Sequence, residues 1–217
     1  QPLSSISSII ARLHLKNELK ELTQEILHES TKKINLIVQH QSQTLSDFRD
    51  FFKIKQANDF SLDETIDKTL NLLQSQFNSS GIVVINKVED INIYGFENHL
   101  VQVLLNILNN ARDELVKKNN QVKIIIIDVN VTSSKLEILI TDNAGGVPLP
   151  IIDRIFESRF TTKPDSLGTG IGLYMSKLLV TEHMDGSLEV TNVEFEHENS
   201  AYKGAQFKIS LLMEEEI

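Results

Sequence analysis

The feature that most constrains this chain is a change of hydrophobic period part-way along it. Up to about residue 52 the apolar residues recur only at helical spacing, whereas from residue 61 onward helical and strand-like runs alternate. In the first part Leu3, Ile6, Ile10 and Leu13, followed by Leu15, Leu19 and Leu22, predict a helix from Pro2 to about Leu22. Pro2 suits the first turn, where a missing N–H costs nothing. Ile34, Ile37, Val38, Gln41, Leu45, Phe48 and Phe52 predict a second helix, with the polar stretch from Thr23 to Thr31 as the reversal between them. A helical hairpin with one apolar stripe per helix does not cover itself. It completes a core either against a second copy, as a four-helix bundle, or against the rest of its own chain, and the first is expected here.

The polar stretch from Lys53 to Asp59 reads as a hinge. Beyond it, Ser61 and Glu64 form a capping box, and Ile66, Leu70, Leu73 and Phe77 continue a helix that ends before Gly81. Residues 82–88, 122–132, 136–141, 187–193 and 205–211 predict strands, and residues 96–116 and 171–182 predict helices. The expected class is therefore α+β: a helical hairpin over residues 1–55, then an α/β sandwich, one sheet layered on helices, over residues 61–217. The absence of Cys removes a disulfide-stapled secreted module from consideration. The net charge of −9 is uneven, since residues 1–60 hold 8 basic and 7 acidic side chains and the remainder 13 and 23. Such a surface repels a polyphosphate backbone, so nucleic acid is not an expected partner. No apolar run is long enough to cross a bilayer and no signal-peptide pattern opens the sequence, so the expected setting is cytoplasmic, without membrane contact.

Three segments carry chemistry. In residues 101–115 (VQVLLNILNNARDEL), Val103, Leu104, Ile107, Leu108 and Ala111 demand burial, while His99, Gln102, Asn106, Asn110 and Asp113 form a polar stripe along the same helix. Two Asn side chains one turn apart offer oxygens to a hard cation or amides to phosphate, although a solvent-facing stripe has the same spacing. In residues 136–148 (LEILITDNAGGVP), Asp142 shares the parity of Leu136, Ile138 and Ile140. A carboxylate at the rim of an apolar face needs a donor. The exocyclic amine of a purine would serve, and Gly145 and Gly146 would let backbone approach a flat ring; a simple strand-end turn is the competing reading. In residues 156–177 (FESRFTTKPDSLGTGIGLYMSK), Gly168, Gly170 and Gly172 open into a helix, whose N–H groups and dipole favour an anion, with Thr161, Thr162 and Lys163 at hand. The run is neither a Walker loop nor the usual Rossmann fingerprint.

In this order and at these separations the segments resemble the N box, first glycine box, F box and second glycine box of sensor histidine kinases, whose catalytic domain is the Bergerat-type ATP-binding fold. The resemblance covers about residues 61–213, and residues 204–211 resemble that domain's closing strand. It implies that Asn110 is the Mg²⁺ ligand, that Asn106 faces the phosphates, and that Asp142 accepts from the adenine amine with Gly146 beside the ring. Thr162, Lys163, Gly168, Gly170, Gly172 and Leu173 then belong to the mobile lid and phosphate cradle, with Asn106 and Lys163 as catalytic residues. Phe156 and Phe160 are expected to anchor the lid. Asp113 and Glu114 stand where many members carry a basic or aromatic pair, so no phosphate contact is transferred to Asp113.

Residues 1–4 resemble the tail of the histidine box in the dimerisation and phosphoacceptor hairpin, and residues 47–52 the end of its second helix. That resemblance places the acceptor His three positions before residue 1, with His14 as the alternative within the chain. The implied activity is autokinase: Mg-ATP donates its γ-phosphoryl group to a His of a homodimer, for relay to an Asp of a response regulator. Two readings compete with it, an ATPase of the same fold and a dimeric nucleotide-binding scaffold. The ATPases use a Glu general base where this chain has Asn106, and an amide takes no proton.

Overall fold

The computed structural model describes residues 2–51, 57–118, 122–132, 134–163 and 169–213. They fall into two compact units, one comprising Gln1–Lys53 with Arg159–Ile171, the other Ile54–Ser158 with Gly172–Ile217.

The first unit contains a helical hairpin, α1 (Pro2–Glu18) packed on α2 (Gln24–Phe51). The reversal is shorter and earlier than the polarity of residues 23–31 predicts. α1 ends in a Schellman arrangement, with Lys20 at φ 55°, its N–H donating to the Asn17 carbonyl and that of Glu21 to the Lys16 carbonyl. Thr23 then caps α2, its Oγ1 accepting from the Ile26 N–H at 3.3 Å. Residues 24–31 are polar yet rich in helix formers, so once capped they propagate a helix and form no loop.

In the second unit α3 (Leu62–Ser80) starts where the capping box predicts. Ser61 Oγ accepts from the Glu64 N–H at 3.3 Å and itself donates to Asp90. Gly81, at φ 65°, closes the helix. Leu62, Thr65, Ile66, Thr69, Leu73 and Phe77 form its buried stripe, and the two buried threonines satisfy their hydroxyls on carbonyls one turn back. Just before α3 the expected hinge gives way to structure: Asn58 and Asp59 belong to β1 (Asn58–Ser61), which pairs antiparallel with β3 (Asn92–Gly95). Residues 52–56 of that hinge lie outside the described residues. The ribbon is held by the facing pair Phe60 and Ile93, both buried. Its short, mostly polar strands have no alternation long enough to announce themselves.

The main sheet has the order β2-β4-β5-β7-β6, formed by β2 (Ile82–Asn86), β4 (Lys123–Val131), β5 (Lys135–Asp142), β7 (Ser200–Leu212) and β6 (Ser187–His197). Only β2 and β4 run parallel, the crossover between them carrying β3 and α4 (Glu97–Lys118). Strands β6 and β7 run several residues beyond the predicted limits, because a two-residue turn at Glu198 and Asn199, both at positive φ, lets them pair to the tip. Leu136, Ile138 and Ile140 of β5 meet Phe207, Ile209 and Leu211 of β7 in one apolar layer. Charged side chains of β7 pair with those of both its neighbours: Lys208 reaches Glu189 of β6 at 3.2 Å and Glu137 of β5 at 3.7 Å. Helices α3, α4 and α5 (Gly172–Leu178) form the second layer, and α5 continues into a π-type turn at Leu179–His183. The result is the expected α/β sandwich.

Ser61→Ala removes the α3 cap and is expected to cost about 1 kcal/mol. Urea unfolding should show a lowered midpoint at unchanged slope; an unaltered midpoint would mean that Asp90 and the β1–β3 ribbon hold the helix start without the hydroxyl.

Candidate functional site

The site grows from one end of β5. Asp142 is 5% exposed, and its Oδ1 accepts from the backbone N–H of Ala144 at 2.8 Å and of Ala205 at 3.2 Å. Both donors converge on one oxygen. Burial pushes the carboxyl above its ordinary range; the two N–H donors oppose that shift, and the charge of Glu114 on α4 adds to it. A buried carboxylate that loses its hydration and holds backbone donors only at Oδ1 would gain from one further donor at Oδ2.

The backbone just past Asp142 is stiffer than a generic turn. Gly146 sits at φ 84°, and a Cβ there would stand 2.5 Å from Asn192 Oδ1. Asn192, on β6, grips the backbone of the next residue as a strand would: Oδ1 accepts from the Val147 N–H at 2.7 Å, and Nδ2 donates to the Val147 carbonyl at 2.8 Å. The Gly145 N–H donates to the Lys203 carbonyl. Gly204 on β7 approaches the Asp142 carbonyl so closely that any Cβ would overlap it. Asn143 ties the same corner to β4 through the Ile124 N–H and the Val122 carbonyl. Asn192 and Gly204 thus shape the site from positions about 45 to 60 residues downstream, and local pattern carries no signal for such contacts.

Helix α4 supplies the other wall. Its buried face runs through Leu100, Val103, Leu104, Ile107, Leu108, Ala111 and Leu115, and it packs on β5, α3 and α5. Asn106 and Asn110 lie half-buried beside that face, as the stripe predicts. The Asn106 amide donates to Ser176 Oγ at 3.1 Å and to the Gly172 carbonyl at 3.4 Å, both on α5. Leu173 is half-buried in the first turn of that helix. Asp113 is engaged by the Arg112 guanidinium at 2.7 Å. His99 departs from the predicted stripe. It is 3% exposed, stacked on Phe96 and met edge-on by His183. At the start of α4 the stripe turns under the π-type turn, so this ring belongs to the core.

Phe156 packs edge-on against Phe207 with Lys177 over its ring at 5.0 Å. Thr162, Lys163 and Gly170 belong to the segment Arg159–Ile171 of the other unit, and Gly168 lies outside the described residues. That segment is closed at its neck by the Arg159 N–H donating to the Gly170 carbonyl at 2.9 Å, and Thr161 Oγ1 accepts from the Lys163 N–H. Among the described residues no cluster of three or more His, Asp or Glu side chains forms a metal site. The half-buried Asn oxygens of α4 suit Mg²⁺ only as a cation that arrives with phosphates and keeps waters of its own.

A sheet layered on three helices, with a buried aspartate at a strand end, a clamped Gly-Gly turn and an asparagine pair on the adjoining helix, defines a Bergerat-type α/β sandwich. The chain belongs to the family described as histidine kinase-, DNA gyrase B- and HSP90-like ATPases, whose model matches residues 95–215. Its relatives include the sensor protein ChvG of Rhizobium meliloti (strain 1021), 25% identical over 97% of this chain and 38% of that protein. Sporulation kinase C of Bacillus subtilis (strain 168) is 26% identical over 97% of this chain and 45% of that protein. The chain spans less than half the length of either relative. Among solved structures, the Acinetobacter baumannii histidine kinase AdeS is similar at TM-score 0.70 and 15% identity, over 98% of this chain and 95% of that one. Histidine kinase ThkA, in complex with the response regulator protein TrrA, is similar at TM-score 0.69 and 20% identity, over 100% and 59%. These two likenesses show the fold. The resemblance to sensor histidine kinases read from the four boxes therefore holds.

The His99 imidazole lies below its ordinary pKa, first because it is buried and second because of His183. A base whose folded pKa is depressed contributes stability above its unfolded pKa and loses it as pH falls through the folded value. Between about pH 7.5 and about pH 5.5 the urea midpoint should therefore drop, and more steeply in the parent than in His99→Leu. Equal slopes would show that His99 does not titrate against the fold.

Proposed function

We propose that this chain is the core of a sensor histidine kinase, with a dimerisation and phosphotransfer hairpin over residues 1–55 and an ATP-binding catalytic domain over residues 61–217. It binds Mg-ATP with the adenine amine on Asp142, and a His of the hairpin dimer receives the γ-phosphoryl group for relay to a response regulator Asp. The observation that carries this reading is the state of Asp142: buried, with two backbone donors on Oδ1, beside a Gly-Gly turn that Asn192 holds open. That arrangement suits an amine donor approaching edge-on with its ring flat against backbone. Gly146 lies along the ring, and Asn106 and Asn110 follow one turn apart toward the phosphates. Mg²⁺, when bound, neutralises phosphate charge, with Asn110 as its protein ligand. The resemblance assigns Thr162, Lys163, Gly168 and Gly170 to a phosphate lid, and Gly172 and Leu173 to the opening of the helix that completes the cradle. Lys163 adds positive charge where charge develops, and Asn106 helps position the transferring group; positioning and neutralisation are what phosphoryl transfer asks of a protein.

The hairpin supports a second copy of this chain as partner. Ile10, Leu15, Leu19, Leu27 and Val38 remain 41–58% exposed along it, apolar surface that a four-helix bundle would cover. No helix among the described residues is long and apolar enough to cross a membrane, and we place this part of the protein in the cytoplasm.

Calorimetry with Mg-ATP tests the site: Asp142→Ala and Asn110→Ala should each weaken binding by at least about tenfold while unfolding cooperatively, as expected for loss of a charged hydrogen bond or a metal ligand. Unchanged affinity in both would overturn the assignment. Turnover distinguishes a kinase from an ATPase of the same fold. The Asn106 amide donates to α5 and accepts no proton, so ATP hydrolysis should run far below the median enzyme rate of about 10 per second; a rate near that value would establish the ATPase reading. Sedimentation at micromolar concentration is expected to return a dimer, and a monomer of 24.5 kDa would contradict the bundle.

A further inference from the structure

We infer that Ser176 is a positioning residue that fixes the orientation of the Asn106 side-chain amide through a hydrogen-bond chain of set polarity. Ser176 is fully buried on α5, at 0% exposure, where an apolar residue would pack without cost. Its hydroxyl has one proton, and that proton goes to the Gly172 carbonyl at 3.0 Å. Ser176 Oγ is therefore an acceptor toward α4, so the group facing it at 3.1 Å must be a donor, which selects Nδ2 of Asn106 over Oδ1. The Gly172 carbonyl, 3.4 Å from the same nitrogen, makes the same selection independently. The amide nitrogen thus faces α5, and Oδ1 is the end of Asn106 offered to the rest of the site. At Gly172 a Cβ would stand 3.4 Å from that Oδ1, in van der Waals contact, so the small residue leaves more room on that side.

The consequence is a link between two of the boxes. The residue that stands in place of a general base is held by the first turn of the helix that cradles phosphate, so a shift of α5 would move Asn106 with it. A buried hydroxyl returning to a carbonyl one turn back is common in helices. Here it also accepts from a second element at a functional side chain, which a helix-internal bond does not require.

The binding arm of the test rests on the nucleotide reading given above, and the spectroscopic arm does not. In the full 217-residue chain, the ¹⁵N side-chain amide pair of Asn106, identified by its loss in Asn106→Asp, is expected to shift and to exchange faster in Ser176→Ala, while the Asn110 pair stays in place. Calorimetry should then show Ser176→Ala weakening a magnesium-bound non-hydrolysable ATP analogue by about tenfold, roughly one hydrogen bond's net worth, with adenosine unchanged. Ser176→Thr, which keeps the hydroxyl, should restore both readouts. An Asn106 amide indifferent to Ser176→Ala overturns the inference, as does equal weakening of adenosine and the triphosphate, which would mark Ser176 as merely structural. If the parent binds neither ligand, the nucleotide reading fails, and the amide spectrum alone decides the role of Ser176.

Discussion

The burial of α4 against the sheet is the constraint on which the rest of this protein depends. Seven apolar side chains of that helix are no more than 3% exposed, and each is worth on the order of 1–3 kcal/mol once removed from water. That apolar face fixes the helix both in rotation and in height. With a period of 3.6 residues, fixing one face fixes the others, so Asn106 and Asn110 are delivered beside the core as a consequence of packing. Truncating a residue such as Leu104 or Ile107 would therefore loosen the site as well as the fold, at a cost of about 2–5 kcal/mol.

The aspartate end of the site follows a different rule. Asp142 continues the buried parity of β5 into a place where a charge is disfavoured, and two backbone N–H groups only partly offset that burial. Under the proposed reading, the same burial sharpens the preference for a ligand donor. Asn192, Asn143 and Gly204 hold the surrounding backbone, each by a contact that a substitution would break or crowd. Preorganisation of this kind lowers the cost of ordering the loop when a ligand arrives.

Along the chain, the apolar and glycine patterns marked most of the elements and carried the resemblance to the four boxes. The periods of β5 and α4 are long and regular, and the Ser61 capping box and Gly81 marked the ends of α3 within a residue. Less legible were the elements whose stability comes from partners. The β1–β3 ribbon is four residues long on each side and exists because Phe60 and Ile93 are covered. The start of α2 was hidden because polarity suggests a loop when no buried stripe is yet in view, although Thr23 was already a legible cap. His99 fitted a polar stripe by spacing alone, yet the π-type turn that covers it comes from about 80 residues downstream.

The sequence by itself determined the periods, the caps, the glycines that open turns, and hence the class of fold and the choice of Asn106, Asn110 and Asp142 as candidate site residues. Those are local properties, set by side-chain volume, branching and backbone freedom over a few residues. Tertiary structure alone decided which way the Asn106 amide points, that Asn192 stiffens the Gly-Gly turn, that Gly204 must lack a side chain, and that His99 is core. Each of these depends on two segments meeting after the chain has folded. Hydrogen bonds and close packing are short-ranged in space but have no fixed range along the chain, so they take effect only once burial of α4 and pairing of the sheet have brought the partners together.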